Sequence, residues 1–398
     1  MTGPLSDILV VDLSRALAGP HAAMMLGDLG ARVIKVESPG SGDDTRSWGP
    51  PFVDGSDGER HSTYFLSCNR NKESIALDLK SDDGRATLTA LIARADVLVE
   101  NFRPGVLDRL GFSVEQLAEL NPRLVVLSIT GFGHDGPEGT RPGYDQIAQG
   151  EAGLMSLTGP SAAEPTRVGV PIGDLLAGMN GAYGVVAALH ARTTTGRGRV
   201  VRTSLLASIV GVHAFQGTRF TVAGEVPQPT GGHHPSICPY GLFHAADGFV
   251  QIAVGSEGLW RRFAPEFGLD RPEWATNPER VGDRDAVIAA VDAAFSTLPS
   301  AELLARLDEL GVPAGKVRNL EEVYTWEQTR SQGLLVEVDH AALGPITLPG
   351  PPLRFQEISD KPAGLDASET TVRTTHTAPP TLDQHGAEIR AWLEQSAP

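Results

Sequence analysis

The sequence predicts an α/β protein: a large domain with a mostly parallel, Rossmann-like sheet, joined to a smaller α+β domain. Two observations carry this. Short apolar runs rich in β-branched residues alternate with helix-length segments through the first half of the chain, the pattern of βαβ units and parallel sheets. After residue 225 the texture changes to shorter strands and amphipathic helices. The expected division is 1–224 for the large domain, 225–330 for the small one, and 331–398 returning to complete the first.

Taken in order, Ile8–Leu13 reads as a buried strand, Ser14–Pro20 as a small-residue loop, and His21–Leu29 as a helix stopped by Gly30. Arg32–Glu37 is the second strand, which closes a βαβ unit, and such units cross over right-handed. Ligands of this layout lie beyond the carboxyl ends of the strands. The segment 38–62 is polar and rich in Gly, Pro and Asp, and reads as one long loop, an active-site cover or a surface segment. Further strands are expected at Ser74–Leu79, Asp96–Glu100 and Leu124–Ile129, with a helix at 82–94. Apolar spacing at Leu175, Met179, Ala182, Val186 and Leu189 predicts a long helix reaching about Arg192. A helix is expected from Ser204 to about Gln216. In the second domain, strands fall at 241–244 and 249–254, and helices near 256–267, 285–296 and 300–310. A short amphipathic stretch covers 382–393.

Composition narrows the function classes. A net charge of −16 over 398 residues argues against a nucleic-acid-binding surface. The sequence shows no apolar run of the ~18–20 residues a membrane span needs, and the N-terminus lacks a signal-peptide core. The two cysteines, Cys68 and Cys238, form no metal-spacing motif and fit a reducing compartment. A cytoplasmic location is therefore expected, with no membrane or nucleic-acid partner and no metal. The first loop lacks G-x-G-x-x-G, and no P-loop or G-x-S-x-G elbow occurs, which removes the usual signatures of dehydrogenases, NTPases and α/β-hydrolases.

The stretch Arg167–Gly178 holds the strongest chemical candidate. Asp174 follows Pro171 and Gly173 and opens the long helix. It could be a simple N-cap, since Asp is favoured there, or a nucleophilic carboxylate. Tyr144-Asp145 precedes another amphipathic segment and reads equally as a packed aromatic with a cap. Arg15, Lys35, Arg46, Arg70, Lys72, Arg103 and Arg109 recur at loop or strand ends, and could gather as an anion site. His233-His234 lack partners at ligand spacing, so a metal is not expected there.

Many short motifs, in one order along nearly the whole chain, resemble the class III CoA-transferase family, to which the α-methylacyl-CoA racemases are related. They include Ala18-Gly19-Pro20, Gly27–Glu37, Gly42–Arg46, Asn69–Lys72, Glu100–Gly105, Asp108–Gly111, Gly143–Asp145, Gly173-Asp174, Gly196–Gly198 and Gly311–Gly315. The resemblance implies two protomers threaded as interlocked rings. It implies acyl-CoA and a carboxylic acid as substrates, and no tightly bound cofactor. Asp174 matches the catalytic aspartate, which passes through a mixed anhydride and an aspartyl-CoA thioester. Tyr144 and Asp145 match residues beside the thioester, and Gly231 and Gly232 match a mobile glycine loop. Arg15, Ala16, Ala18, Asn71, Lys72, Asn101, Phe102, Val106 and Arg109 fall at the CoA site.

The chain departs from its relatives at four places. Tyr144 stands where the racemases carry a His base, which favours transfer over racemisation; His134 and Asp145 do not match the racemase pattern. Leu17 replaces a Gln of the formyl-CoA/oxalate members, whose glycine loop is also longer than 230–234. Ser38 replaces a basic residue used near the CoA phosphates, so Arg46 or Lys72 is expected to supply that charge. A racemase of 2-methylacyl-CoA and a catalytically silent CoA-binding protein remain the alternatives.

Overall fold

The structure is a computed structural model and describes residues 3–355, 370–371 and 375–395. Part of the expected returning segment 331–398 lies outside the described residues.

The contacts divide the chain into two units. One comprises 1–153, 169–217 and 327–398; the other comprises 154–168 and 218–326. The second unit thus begins at 218 rather than 225, and it takes in 154–168, which the sequence had placed in the large domain. Nothing local in that Gly/Ser/Pro-rich segment announces its packing partner: its ties, such as Gly231 N–H to Gly159 O at 3.1 Å, are to residues far along the chain.

In the first unit the chain forms β1 (Leu9–Asp12), β2 (Arg32–Glu37), a hairpin of β3 (Phe52–Asp54) and β4 (Arg60–Ser62), then β5 (Lys72–Ala76), β6 (Val97–Glu100), β7 (Val125–Thr130) and β8 (Val200–Ser204). Six of these make one parallel sheet in the order β5-β2-β1-β6-β7-β8. The direction of winding reverses between β1 and β6. This is the doubly wound arrangement, whose crevice opens at that switch point, beyond Asp12 and Glu100. The helices in chain order are α1 (Ala18–Asp28), α2 (Thr63–Ser67), α3 (Asp82–Arg94), α4 (Val106–Arg109), α5 (Val114–Leu120), α6 (Asp145–Glu151), α7 (Ile172–Thr195) and α8 (Leu205–Gly211).

Differences from the sequence reading are local. The third sheet strand runs Lys72–Ala76 instead of Ser74–Leu79: its partner β2 ends at Glu37, whose carbonyl takes a last bond from Leu77 N–H at 2.9 Å. The 38–62 loop contains the β3–β4 hairpin. The helix expected over 204–216 breaks into α8 and a second helix, Ala214–Ala223, with Ala214 at φ 46°.

The core under the sheet joins Val11, Ile34, Ile75, Leu88, Ile92 and Leu98 to Ile389 and Leu393 of the C-terminal helix Gly386–Gln395. On the other face α1 packs against α7. The contact needs glycine: a Cβ on Gly178 would sit 2.7 Å from Ala18 O, and one on Gly19 only 2.2 Å from Ser14 Cβ. α7, at 24 residues and a mean hydropathy of 1.3, is long and apolar enough to cross a bilayer by length and composition, contrary to the sequence reading. Its Gly173, Ala177, Gly181 and Val185 face is buried in this unit.

The second unit carries a three-stranded antiparallel sheet, with β10 (Gly248–Ala253) between β9 (Tyr240–Ala245) and β11 (Ala314–Lys316). Helices including Glu257–Glu266, Arg284–Phe295 and Ser300–Glu309 cover it. Phe243, Phe263, Trp274 and Phe295 fill its core. Buried Arg280 ties its loops together through Cys238 O at 2.7 Å and Trp274 O at 2.9 Å.

Candidate active site

Two loops meet at the switch point. Ser14–Leu17 leaves β1, and Asn101–Gly105 leaves β6. The Asn101 side chain clamps them together: its Oδ1 accepts Arg15 N–H at 2.9 Å, and its Nδ2 donates to Arg15 O at 2.7 Å. Beside this clamp opens a cavity of about 560 Å³, lined by Arg15, Ser38, Leu79, Phe102 and Val106 among others. An apolar slot with a guanidinium at its mouth suits a nucleotide base carrying phosphates. Arg15 Nη2 donates to Ser38 Oγ at 2.9 Å. A cation therefore stands at the position where the sequence had lost one.

The seven basic residues do not gather. Lys35 and Lys72 are fully buried and paired, Lys35 with Asp43 at 2.8 Å and Lys72 with Asp12 at 2.9 Å. Arg46 forks onto Glu37 through Nε at 2.8 Å and Nη2 at 2.7 Å, and Arg70 forks onto Asp28. These four hold the sheet edge and its loops, and the expectation that Arg46 or Lys72 meets phosphate does not match their placement. Asn71 is likewise buried, donating to Asp28 and accepting from Thr377 N–H at 2.8 Å. Arg15, Arg103 and Arg109 keep exposed side chains. Ala16, at φ 64°, and Ala18 form the turn into α1.

From this crevice the chain leads to Asp174. Leu17 packs with Cys68, Tyr64 and Leu175, so the loop after β1 reaches the neighbour of the aspartate. Asp174 is the third residue of α7, which starts after Pro171 without a side-chain cap. The capping carboxylate comes from elsewhere. Asp145, at the start of α6, accepts the N–H of Gly173 at 2.7 Å and of Asp174 at 3.4 Å, and its other oxygen accepts from Gln149 at 2.7 Å. Asp145 thus takes the structural job that Asp174 might have had. Among the described residues, no hydrogen bond or ion pair engages the Asp174 carboxylate.

Half-buried and facing a second carboxylate, Asp174 is pushed up to about 7, first by burial and then by the Asp145 charge. The positive end of α7 works in the opposite sense. Tyr64 lies close enough for Asp174 to act on it: burial first, then that charge, push its phenol up to about 12. Trp48 packs edge-on against Tyr64 with ring centroids 5.1 Å apart. Sequence reasoning missed both aromatics. The only available signal was one aromatic residue within the long polar loop and one just after it.

Tyr144, the residue before α6, is 67% exposed. Gly231 and Gly232 belong to the second unit, where Gly231 adopts φ 60°. His233 and His234 pack there on Phe243 and Tyr240. His134 pairs with Ser128 Oγ at 2.8 Å.

A family model for CoA-transferase family III matches residues 5–386. The chain belongs to this family. It is 38% identical over 394 residues to a mouse succinyl-CoA:glutarate CoA-transferase, covering 97% of this chain and 85% of the relative. It is 37% identical over 396 residues to an acetyl-CoA:oxalate CoA-transferase of Acetobacter aceti, covering 98% and 95%. Among solved structures, a CAIB/BAIF family protein from Brucella suis superposes with a TM-score of 0.84 at 38% identity, covering 99% of this chain and 100% of that one. The protein is therefore a CoA-transferase, and the expectation of an α/β fold with a parallel sheet agrees with these structures.

Proposed function

We propose that this cytoplasmic, homodimeric enzyme moves CoA from an acyl-CoA thioester to a free dicarboxylic acid, with Asp174 as the nucleophile. The observation that carries this reading is the Asp174 carboxylate: half-buried, raised towards neutrality, and left without a hydrogen-bond partner among the described residues while Asp145 caps the helix. The dicarboxylate class is taken from relatives named for glutarate and oxalate.

The covalent steps balance without water. An Asp174 oxygen attacks the thioester carbonyl, and CoA thiolate leaves, giving an acyl-aspartyl anhydride. The thiolate then attacks the aspartyl carbonyl and expels the donor acid, giving an aspartyl-CoA thioester. The acceptor carboxylate attacks that carbonyl, and thiolate leaves again. In the last step thiolate attacks the acceptor's acyl carbon, which frees Asp174 and forms the new acyl-CoA. A carboxylate keeps the acyl group activated at every stage, whereas a serine ester would not. Each tetrahedral step needs a donor. The Gly173 and Asp174 amides are spent on Asp145, so the Tyr64 hydroxyl, which stays protonated, is the candidate beside Asp174; Gly231, Gly232 and Tyr144 complete the reading taken from the family.

To test it, acyl-CoAs are mixed with glutarate, oxalate, succinate and monocarboxylic acids in D₂O, and every CoA ester is identified by mass spectrometry. New dicarboxyl-CoA esters are the expected result. Deuterium at the α-carbon without new esters would instead identify a racemase.

Support for the dimer comes from apolar side chains on one run of helices. Ile147 of α6, Met179 and Tyr183 of α7, Val210 of α8 and Phe215 are each about half exposed or more, on helices of which α6, α7 and α8 pack together, and large exposed apolar area of this kind marks interaction sites. Sedimentation should give twice the 42.1 kDa chain mass, and Tyr183→Glu should shift that species towards monomer. A wild-type chain sedimenting as monomer at micromolar concentration would refute the homodimer.

A further inference from the structure

We infer that Glu100 is a positioning residue for CoA, fixing the Asn101–Gly105 loop by accepting the Phe102 N–H. The inference rests on the proposed reading that the nucleotide end of CoA occupies the cavity lined by Arg15, Phe102 and Val106.

Glu100 ends β6 and is only 6% exposed. Its Oε2 accepts Phe102 N–H at 2.9 Å, and its Oε1 accepts the hydroxyl of Ser128, whose oxygen in turn meets His134 Nε2 at 2.8 Å. No Lys or Arg pairs with this carboxylate among the described residues. A buried, cation-free carboxylate costs stability, so packing alone gives no reason to place one here. Its two hydrogen bonds define what it does. One holds the second residue of the loop, and the other anchors the carboxylate to the neighbouring strand β7. Asn101 has already locked the first loop residue to Arg15. Two successive residues are thus fixed, and the Phe102 ring and Val106 are presented to the cavity in one orientation. On the loop's other side lies a smaller cavity of about 310 Å³, bounded by Glu100, Arg103, Ser128 and His134 together with Leu107 and Phe112. With open space on that side, the Glu100 bond adds to the packing of Phe102 and Leu107 on the core in fixing the loop.

Neutral glutamine can do the same work. Its carbonyl accepts Phe102 N–H, its amide donates to Ser128 Oγ, and the Ser128 hydroxyl then donates to the other His134 tautomer. Alanine cannot. Calorimetric binding of CoA to the full-length wild type, Glu100→Ala and Glu100→Gln is measured beside steady-state kinetics. Glu100→Ala should weaken CoA binding and raise KM for the acyl-CoA about tenfold, with kcat within about threefold, as expected when a loop shifts without touching the reacting atoms. Glu100→Gln should stay within about threefold of wild type. Equal CoA affinity for wild type and a folded Glu100→Ala overturns the inference, as does a Gln variant as weak as the Ala variant. Should Glu100→Ala fail to fold, hydrogen exchange of the Phe102 amide in the wild type decides: slow exchange supports the bond, and exchange at the rate of an open loop refutes it. A wild-type chain that binds no CoA removes the underlying reading itself, which separates that failure from the others.

Discussion

Asp174→Asn should abolish CoA transfer, by at least about a thousandfold in kcat, and should make the protein more stable at pH 8. The first effect follows from losing the enzyme's own nucleophile in the proposed sequence of anhydrides. The second follows from linkage. Asp174 has a folded-state value of about 7 against 3.8 for the free side chain. Below about pH 4 the group is protonated in both states and costs nothing. As pH rises towards 7 the unfolded chain ionises first, and folding stability falls. Above 7 the cost is constant. The full interval corresponds to about 4 kcal/mol, and solvent contact at this half-buried carboxylate reduces it to about 1–2 kcal/mol. Melting curves of wild type and Asp174→Asn from pH 4 to 9 should therefore diverge up to pH 7 and run parallel beyond it. A difference that stays flat from pH 4 upward would show that Asp174 is not raised. Asp145→Asn refines the same point. An Asn oxygen still caps Gly173, but the neighbouring charge is gone, so the acid limb of kcat/KM should move down by about one pH unit. Burial, the larger cause, remains.

Asp174 was legible because the local sequence announces a turn and a helix start, and both readings of it, cap and nucleophile, were visible. What takes the capping role from it is Asp145, a residue distant in sequence whose reach depends on how α6 meets α7. Pattern reasoning has no access to such a contact. The middle of the sheet was legible for the opposite reason: β1, β6 and β7 are mainly apolar runs, and their burial is written residue by residue. The strand at Lys72–Ala76 was shifted because Lys reads as a solvated residue, and only its distant partner Asp12 makes a buried Lys tolerable. Arg46 and Lys72 were assigned to CoA from the family pattern; in the structure each meets a carboxylate, Glu37 and Asp12. Glu100 left a faint trace, an acidic residue ending a buried strand, but its partner Phe102 N–H is a backbone group that no motif marks. The short segment 154–168 was misassigned because its composition is that of any loop.

Lys72→Ala should lower unfolding free energy by about 3–5 kcal/mol while leaving the CoA affinity of the folded fraction nearly unchanged. The Lys72 ammonium is fully buried and donates to Asp12 at 2.9 Å, Asn69 Oδ1 at 2.9 Å and Pro20 O at 2.8 Å. Those three acceptors account for all its protons, and none remains for a phosphate. Asp12 depends on it. Burial pushes that carboxylate up, and the Lys72 and Lys35 charges pull it down further, so that it stays ionised below its ordinary range. Removing Lys72 leaves Asp12 with Lys35 at 3.9 Å as its remaining cation. Since Asp12 also accepts the Ser14 N–H at 3.0 Å, the turn that carries Arg15 loosens with it. Urea denaturation of Lys72→Ala, Asp12→Asn and Asp12→Asn/Lys72→Met checks this. Deleting both charges together should recover more than half of the single-site loss, because the cost lies in a buried charge left alone rather than in a missing bond. If Lys72→Ala keeps wild-type stability and loses CoA affinity tenfold, the ammonium serves the substrate after all, and the network around Asp12 must open when CoA binds.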